Sequence, residues 1–159
     1  MPKLNGKQIG LLAGAIILGV TIYFAPHHAS SAKVEKVDRT VDAKINKAIE
    51  LVNGGGHPMQ GIMLLREVLE ENPDNVRANF QMGLFSIQSQ QFDKALQRFE
   101  KVLSAEPDNY EAQYFRGHAK ASVGDFAGAE NDFKSVMENA SDQKLIDEAS
   151  NFYNELKNK

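Results

Sequence analysis

The chain has 159 residues, 42% hydrophobic and 25% charged, a balance that supports a folded core and excludes a wholly disordered protein. Its formal net charge of -3 provides no general basic surface, so nucleic acid is not an expected partner, although a local basic patch stays open. Cysteine is absent, which rules out disulfides, thiol catalysis and thiolate metal sites.

Residues 1–8, MPKLNGKQ, carry Lys3 and Lys7 ahead of an uncharged apolar run, Ile9 to Ala25. As a helix this run spans about 25 Å, short for a hydrocarbon core of about 30 Å but longer than the usual signal-peptide core of about 7 to 15 residues. Length favours a transmembrane anchor at 9–25, while Ser30-Ser31-Ala32 offers the small residues of a cleavage site, so a signal peptide is the other outcome. The positive charges in front predict an amino terminus inside and the rest of the chain across the membrane. In a bacterium that is a single-pass inner-membrane protein facing the periplasm or the outside; with cleavage it is a secreted periplasmic one. Residues 26–33 read as a polar linker in which His27 and His28 stand without further metal ligands.

From residue 34 the pattern turns helical: Val34, Val37, Val41, Ile45, Ala48 and Val52 keep the spacing of one helix face. The chain then matches itself at an offset of 34. Gly117 follows Gly83, Ala129 follows Ala95, Phe133 follows Phe99, Val136 follows Val102 and Pro107 follows Pro73; Gly61, Leu65 and Val68 stand one step earlier. Three repeats result, at about 42–75, 76–109 and 110–143. Each holds two apolar-periodic segments parted by a turn such as Val123-Gly124-Asp125, which predicts helical hairpins. Small Gly83 and Ala95 permit close helix approach, large Phe99 fills the space between layers, and Pro73 and Pro107 end the second helices. A capping helix is predicted over about 143–158, with Leu145, Ala149, Phe152 and Leu156 on one face and Ser141 or Asp142 as N-cap.

The runs Val123-Gly124-Asp125-Phe126-Ala127-Gly128-Ala129 and Ala105-Glu106-Pro107-Asp108-Asn109 resemble the tetratricopeptide repeat family, over about 42–143. The fold expected is all-α: an α-solenoid of helical hairpins over 34–159 with its C-terminal cap, preceded by a single N-terminal transmembrane helix. Repeat one departs from the pattern, with Ile49 where the first-helix glycine belongs and GGGHPMQG at its turn, and repeat three has Ser141 in place of the proline. The usual tryptophan position holds Ile45, Asn79 and Gln113.

Catalytic motifs are missing from the sequence. Gly54-Gly55-Gly56 lacks the Lys-Ser/Thr of a phosphate loop, and Glu70 and Glu71 are consecutive helix residues that do not face each other. No catalytic residue, metal site or cofactor is assigned, and the chain is expected not to be an enzyme. The resemblance implies that first helices line a concave groove holding a peptide or helix of another protein. Repeat register places there Asn46 and Glu50, then Arg77, Phe80, Gln81, Leu84 and Gln88, then Glu111, Tyr114, Phe115 and His118. Phe80 and Tyr114 would be its aromatic anchors. Lys47, Arg77 and Arg116 are too diluted by Glu50 and Glu111 for a carboxylate clamp.

The expected function is a membrane-anchored scaffold or adaptor. Its alternatives are a soluble exported chaperone or assembly factor released near Ala32, and an accessory subunit of a membrane enzyme complex. Homo-oligomers would form through the anchor or through an uncapped end of the stack.

Overall fold

The computed structural model describes residues 39–54 and 56–158. The chain divides into two compact units, 1–43 and 44–159. Of the first unit only 39–43 are described, and they are helical. The expected anchor at 9–25, the segment 1–8 and the linker 26–33 lie outside the described residues. Among the described residues no helix is long and apolar enough to cross a membrane.

Every regular element among the described residues is an α-helix. Helix α1 covers 39–53, followed by α2 (Pro58–Glu71), α3 (Val76–Gln88), α4 (Phe92–Ala105), α5 (Tyr110–Ser122), α6 (Phe126–Asn139) and α7 (Gln143–Lys157). Local chemistry sets many of the boundaries. Pro58 opens α2, where its missing N–H costs nothing. Asn75 and Asn109, one repeat apart, accept from the backbone N–H groups of Ala78 at 2.9 Å and Ala112 at 3.0 Å. Asp125 caps α6 by accepting from the Gly128 N–H. Of the two candidates at α7, Asp142 is the cap; it accepts from Lys144 and Leu145. Each such bond satisfies a donor that a helix start otherwise leaves open.

The hairpin turns α3–α4 and α5–α6 share a left-handed residue, and they fill it differently. Gly124 adopts φ +88° at no steric cost, whereas its counterpart Gln90 holds φ 59° with a side chain attached.

Close packing follows the repeat. A Cβ on Gly83 would lie 2.7 Å from the Phe99 ring, and one on Gly117 would lie 2.9 Å from the Phe133 ring. Both phenylalanines are essentially fully buried, as are Ala95, Ala129, Val102 and Val136. Repeat one reaches the same closeness by another route: Ile49 occupies the usual glycine position on α1, and Gly61 on α2 supplies the gap instead. A Cβ at Gly61 would stand 2.5 Å from the Ala48 carbonyl oxygen.

The hairpins stack so that α4 packs on α5 and α6 on α7. Helix α3 also approaches α5, and α5 approaches α7, whereas α4 and α6 do not meet. The odd-numbered helices therefore lie on the closed side of the stack, and the even-numbered ones splay apart on the other.

Candidate partner-binding face

The closed side carries the residues expected to bind a partner, and the structure sorts them into neighbouring clefts. Gln81, Leu84, Gln88 and Phe115 share the first, a cleft of about 380 Å³ whose other walls are Ile49, Val52 and Asn53 of α1, Leu65 of α2, and Phe85 and Ile87 of α3. No charged side chain lines it. Its floor is apolar, and its amides can donate to or accept from a backbone lying across it.

Arg77, Phe80 and Glu111 meet at a second cleft with Val76, Glu106 and Asn109, toward the N-terminal ends of α3 and α5. Phe80 is half-buried. Its ring lies edge-on to Phe99 at 5.8 Å and to Phe115 at 6.1 Å between centroids, so it seals the joint between repeats two and three. Asn46 accepts a hydrogen bond from the Arg77 guanidinium, which ties repeat one to repeat two, and Glu50 is exposed and paired with Lys47 at 3.0 Å.

Tyr114 departs from the expectation of an exposed anchor: it is only 6% exposed. Helix α7 accounts for this, since Phe152 approaches the tyrosine ring at 6.1 Å while Phe115, His118 and Phe133 surround it. Burial, together with the charge of Glu148, which takes the hydroxyl's hydrogen bond, pushes the Tyr114 pKa up to about 12. His118 is half-buried beside Phe152, at 3.9 Å between ring centroids. Burial lowers its pKa against the opposing pull of Glu148 and Glu155.

A third cleft, of about 320 Å³, joins Glu111, Tyr114 and Phe115 to Asp142, Lys144, Leu145 and Glu148. Partial burial, and then the negative charge of Asp142, raise the Glu111 pKa. The face thus runs from an uncharged cleft between repeats one and two to an acidic one beside α7. The cations that would clamp a carboxylate are engaged elsewhere: Lys47 with Glu50, Arg77 with Asn46, and Arg116 with Asp132.

Several lining residues lie outside the expected set, among them Leu145, Glu148 and Ile49. Leu145 and Glu148 were assigned only to a cap, yet they stand 34 residues beyond Glu111 and Tyr114; extending the register onto α7 would have found them. Ile49, noted as a departure, puts its side chain into the first cleft because the glycine of that repeat has moved to Gly61. Among the described residues no group of His, Cys, Asp and Glu could hold a metal ion.

Residues 86–149 match the family model described as tetratricopeptide repeat. The match takes in α4 to α6 and the first half of α7, and leaves repeat one outside. No curated protein matches the chain. Solved structures do. A MamA point mutant shares 30% identity and a TM-score of 0.61, over 72% of this chain and 66% of that one. MamA AMB-1 gives the same identity and TM-score over 72% of this chain and 62% of its own. MamA MSR-1 aligns over 87% and 97% at 23% identity and a TM-score of 0.53, a likeness of fold alone. The chain therefore spans less than two thirds of the length of the first two structures. The described residues form a helical solenoid of tetratricopeptide type.

Proposed function

We propose that this chain is a non-enzymatic scaffold or adaptor that holds a segment of another protein on the face made by α1, α3, α5 and α7. The observation that carries this reading is the uncharged cleft between α1 and α3, where Ile49, Val52, Leu84 and Phe85 present apolar surface beside Asn53, Gln81 and Gln88. Such a lining suits an amphipathic helix or extended peptide: apolar anchors give affinity and the amides fix register. The acidic cleft beside α7 favours a cationic residue at the far end of that segment. The apolar run Ile9 to Ala25 supplies the tether, with the repeats on the periplasmic or outer side of a bacterial inner membrane.

The test is in-cell photo-crosslinking from Gln81 and Leu84, separately replaced by a photoreactive residue. One dominant adduct shared by both positions supports a dedicated partner. Many weak adducts, together with a mature amino terminus beginning after Ala32, support the exported-chaperone alternative. Absence of adducts from a folded protein overturns the binding face. Deleting residues 1–25 is expected to release the chain from membranes without unfolding it, and retained membrane association would remove the tether.

A further inference from the structure

The opposite, splayed side of the stack holds a cleft of about 310 Å³ between α2 and α4, lined by Arg66, Leu69, Glu70, Pro73, Arg98 and Lys101. Three cations converge there in a chain whose net charge is negative. Lys101 is engaged: its ammonium donates to the Pro73 carbonyl at 3.1 Å and to Asp74 at 3.0 Å. The two arginines differ from it. Among the described residues neither guanidinium forms an ion pair; Arg98 donates only to the neutral Asn79 amide oxygen, from Nη1 at 2.9 Å. Its remaining N–H groups, and all five of Arg66, are left to solvent or to a ligand.

The repeat itself provides the control for a purely structural role. One repeat on, between α4 and α6, the corresponding positions are Glu100, Leu103, Ser104, Pro107, Asp132 and Ser135. Leucine and proline recur, because the fold needs them to pack and to end the helix. All three cations are gone, so successive hairpins stack without them. Arg66 is not needed to complement the C-terminal end of α2 either, since Glu100 stands at the matching place in α4.

We propose that this outer cleft is a second binding site, which takes a carboxylate side chain from an acidic segment of a protein partner. Guanidinium groups bind carboxylates through paired N–H donors, and Leu69 with Pro73 offers a wall for the methylenes of a glutamate. Charge selects carboxylate over phosphate. With Lys101 neutralised by Asp74, the two arginines exceed Glu70 by a single charge, which suits a monoanion; a phosphate dianion would be left under-neutralised beside Glu70. The site lies away from the α1–α3–α5 face, so it would bind independently of whatever that face holds.

The experiment titrates an acetylated, amidated oligoglutamate peptide into the isotope-labelled full chain, kept in a non-ionic detergent that disperses the 9–25 run, and follows amide resonances by NMR. Saturable shifts at Leu69 and Lys101 are expected. Arg66→Glu should weaken binding about tenfold or more, and Arg66→Gln, which removes the positive charge without adding a negative one, should weaken it in the same direction. Lys134→Glu makes the same change in net charge at an exposed place on α6, and should weaken binding less than about twofold at physiological salt. Equal loss from Arg66→Glu and Lys134→Glu would reduce the effect to general electrostatics and overturn the site. So would the absence of saturable shifts. Inorganic phosphate that displaces the peptide at concentrations below the peptide's own Kd would overturn the carboxylate assignment.

Discussion

Hairpins α3–α4 and α5–α6 are one construction built twice, and they satisfy their polar interiors with opposite chemistry. In both, a glycine on the first helix rests against a buried phenylalanine on the second. In α3–α4 the cation Arg98 donates to Asn79, whose own amide donates to the carbonyls of Pro73 at 2.9 Å and Asn75 at 3.0 Å. Met82 and Ser86 complete that layer without charge. In α5–α6 the position of Arg98 is taken by the carboxylate Asp132, and those of Met82 and Ser86 by Arg116 and Lys120. Arg116 grips Asp132 through two bonds, at 2.9 and 2.7 Å, and Lys120 sits 2.9 Å from it. Gln113, the counterpart of Asn79, still donates to the Pro107 carbonyl, but its buried Oε1 has no hydrogen-bond partner, because the neighbour that should donate is now a carboxylate. The apolar layer of this repeat is fixed by shape, whereas the polar layer is a coupled set, and exchanging one member without the others leaves an orphan.

The largest test of this contrast is Asp132→Ala. It strands two partly buried cations and should cost about 3 kcal/mol in chemical denaturation, whereas Arg98→Ala, which removes one neutral-acceptor bond, should cost about 1 kcal/mol. Equal losses would break the comparison. Next comes the amide pair. Asn79→Leu leaves the Arg98 guanidinium without its acceptor and takes one of two donors from each of the Pro73 and Asn75 carbonyls, and should destabilise by about 2 kcal/mol, while Gln113→Leu also removes an unsatisfied acceptor and should cost less than about 1 kcal/mol. A larger loss at Gln113 would mean that its orphaned oxygen is not a liability.

A smaller change separates the turns. Gln90→Gly copies Gly124 and should raise stability by up to about 1 kcal/mol, measured as a rise in Tm, while Gly124→Gln should lower it. The smallest expected effect is on pH. His118 in α5 corresponds to Leu84 in α3, so only the later hairpin carries a titrating group there. Burial lowers the folded-state pKa of His118, so below about pH 6.5 the unfolded chain takes up a proton first. The stability that neutral His118 contributes is complete above that pH and declines as pH falls through the folded value. His118→Leu should flatten the limb just below pH 6.5. Glu111, whose pKa is raised, acts in the opposite sense: it favours the folded state at lower pH and loses that contribution as pH climbs through its folded value.

The candidate face was legible wherever register alone decides position. Gln81, Leu84 and Gln88 fall on one side of α3 because helical spacing requires it, and they line one cleft with Phe115. Tyr114 lay beyond that reach. Its place on α5 followed from the offset of 34, but its burial depends on Phe152 arriving from α7, a contact between residues far apart in sequence. Phe80 is half-buried for a related reason: Phe99 and Phe115 reach it from two other helices.

Sequence by itself determined the helical hairpins, their glycine-on-phenylalanine joints and their caps. Each of these rests on spacing within a helix or on one side chain meeting the adjacent backbone, as Asn75 and Asn109 do. Only the tertiary structure decided which helix of repeat one yields space, which side of the stack closes, and which polar groups find partners. These outcomes turn on distances between separate helices: the gap that Gly61 leaves for the Ala48 carbonyl, the grip of Arg116 and Lys120 on Asp132, and the opening between α2 and α4 where Arg66 and Arg98 converge. Repeating the chain at an offset of 34 repeats the packing, but it does not dictate how each new set of charges is neutralised.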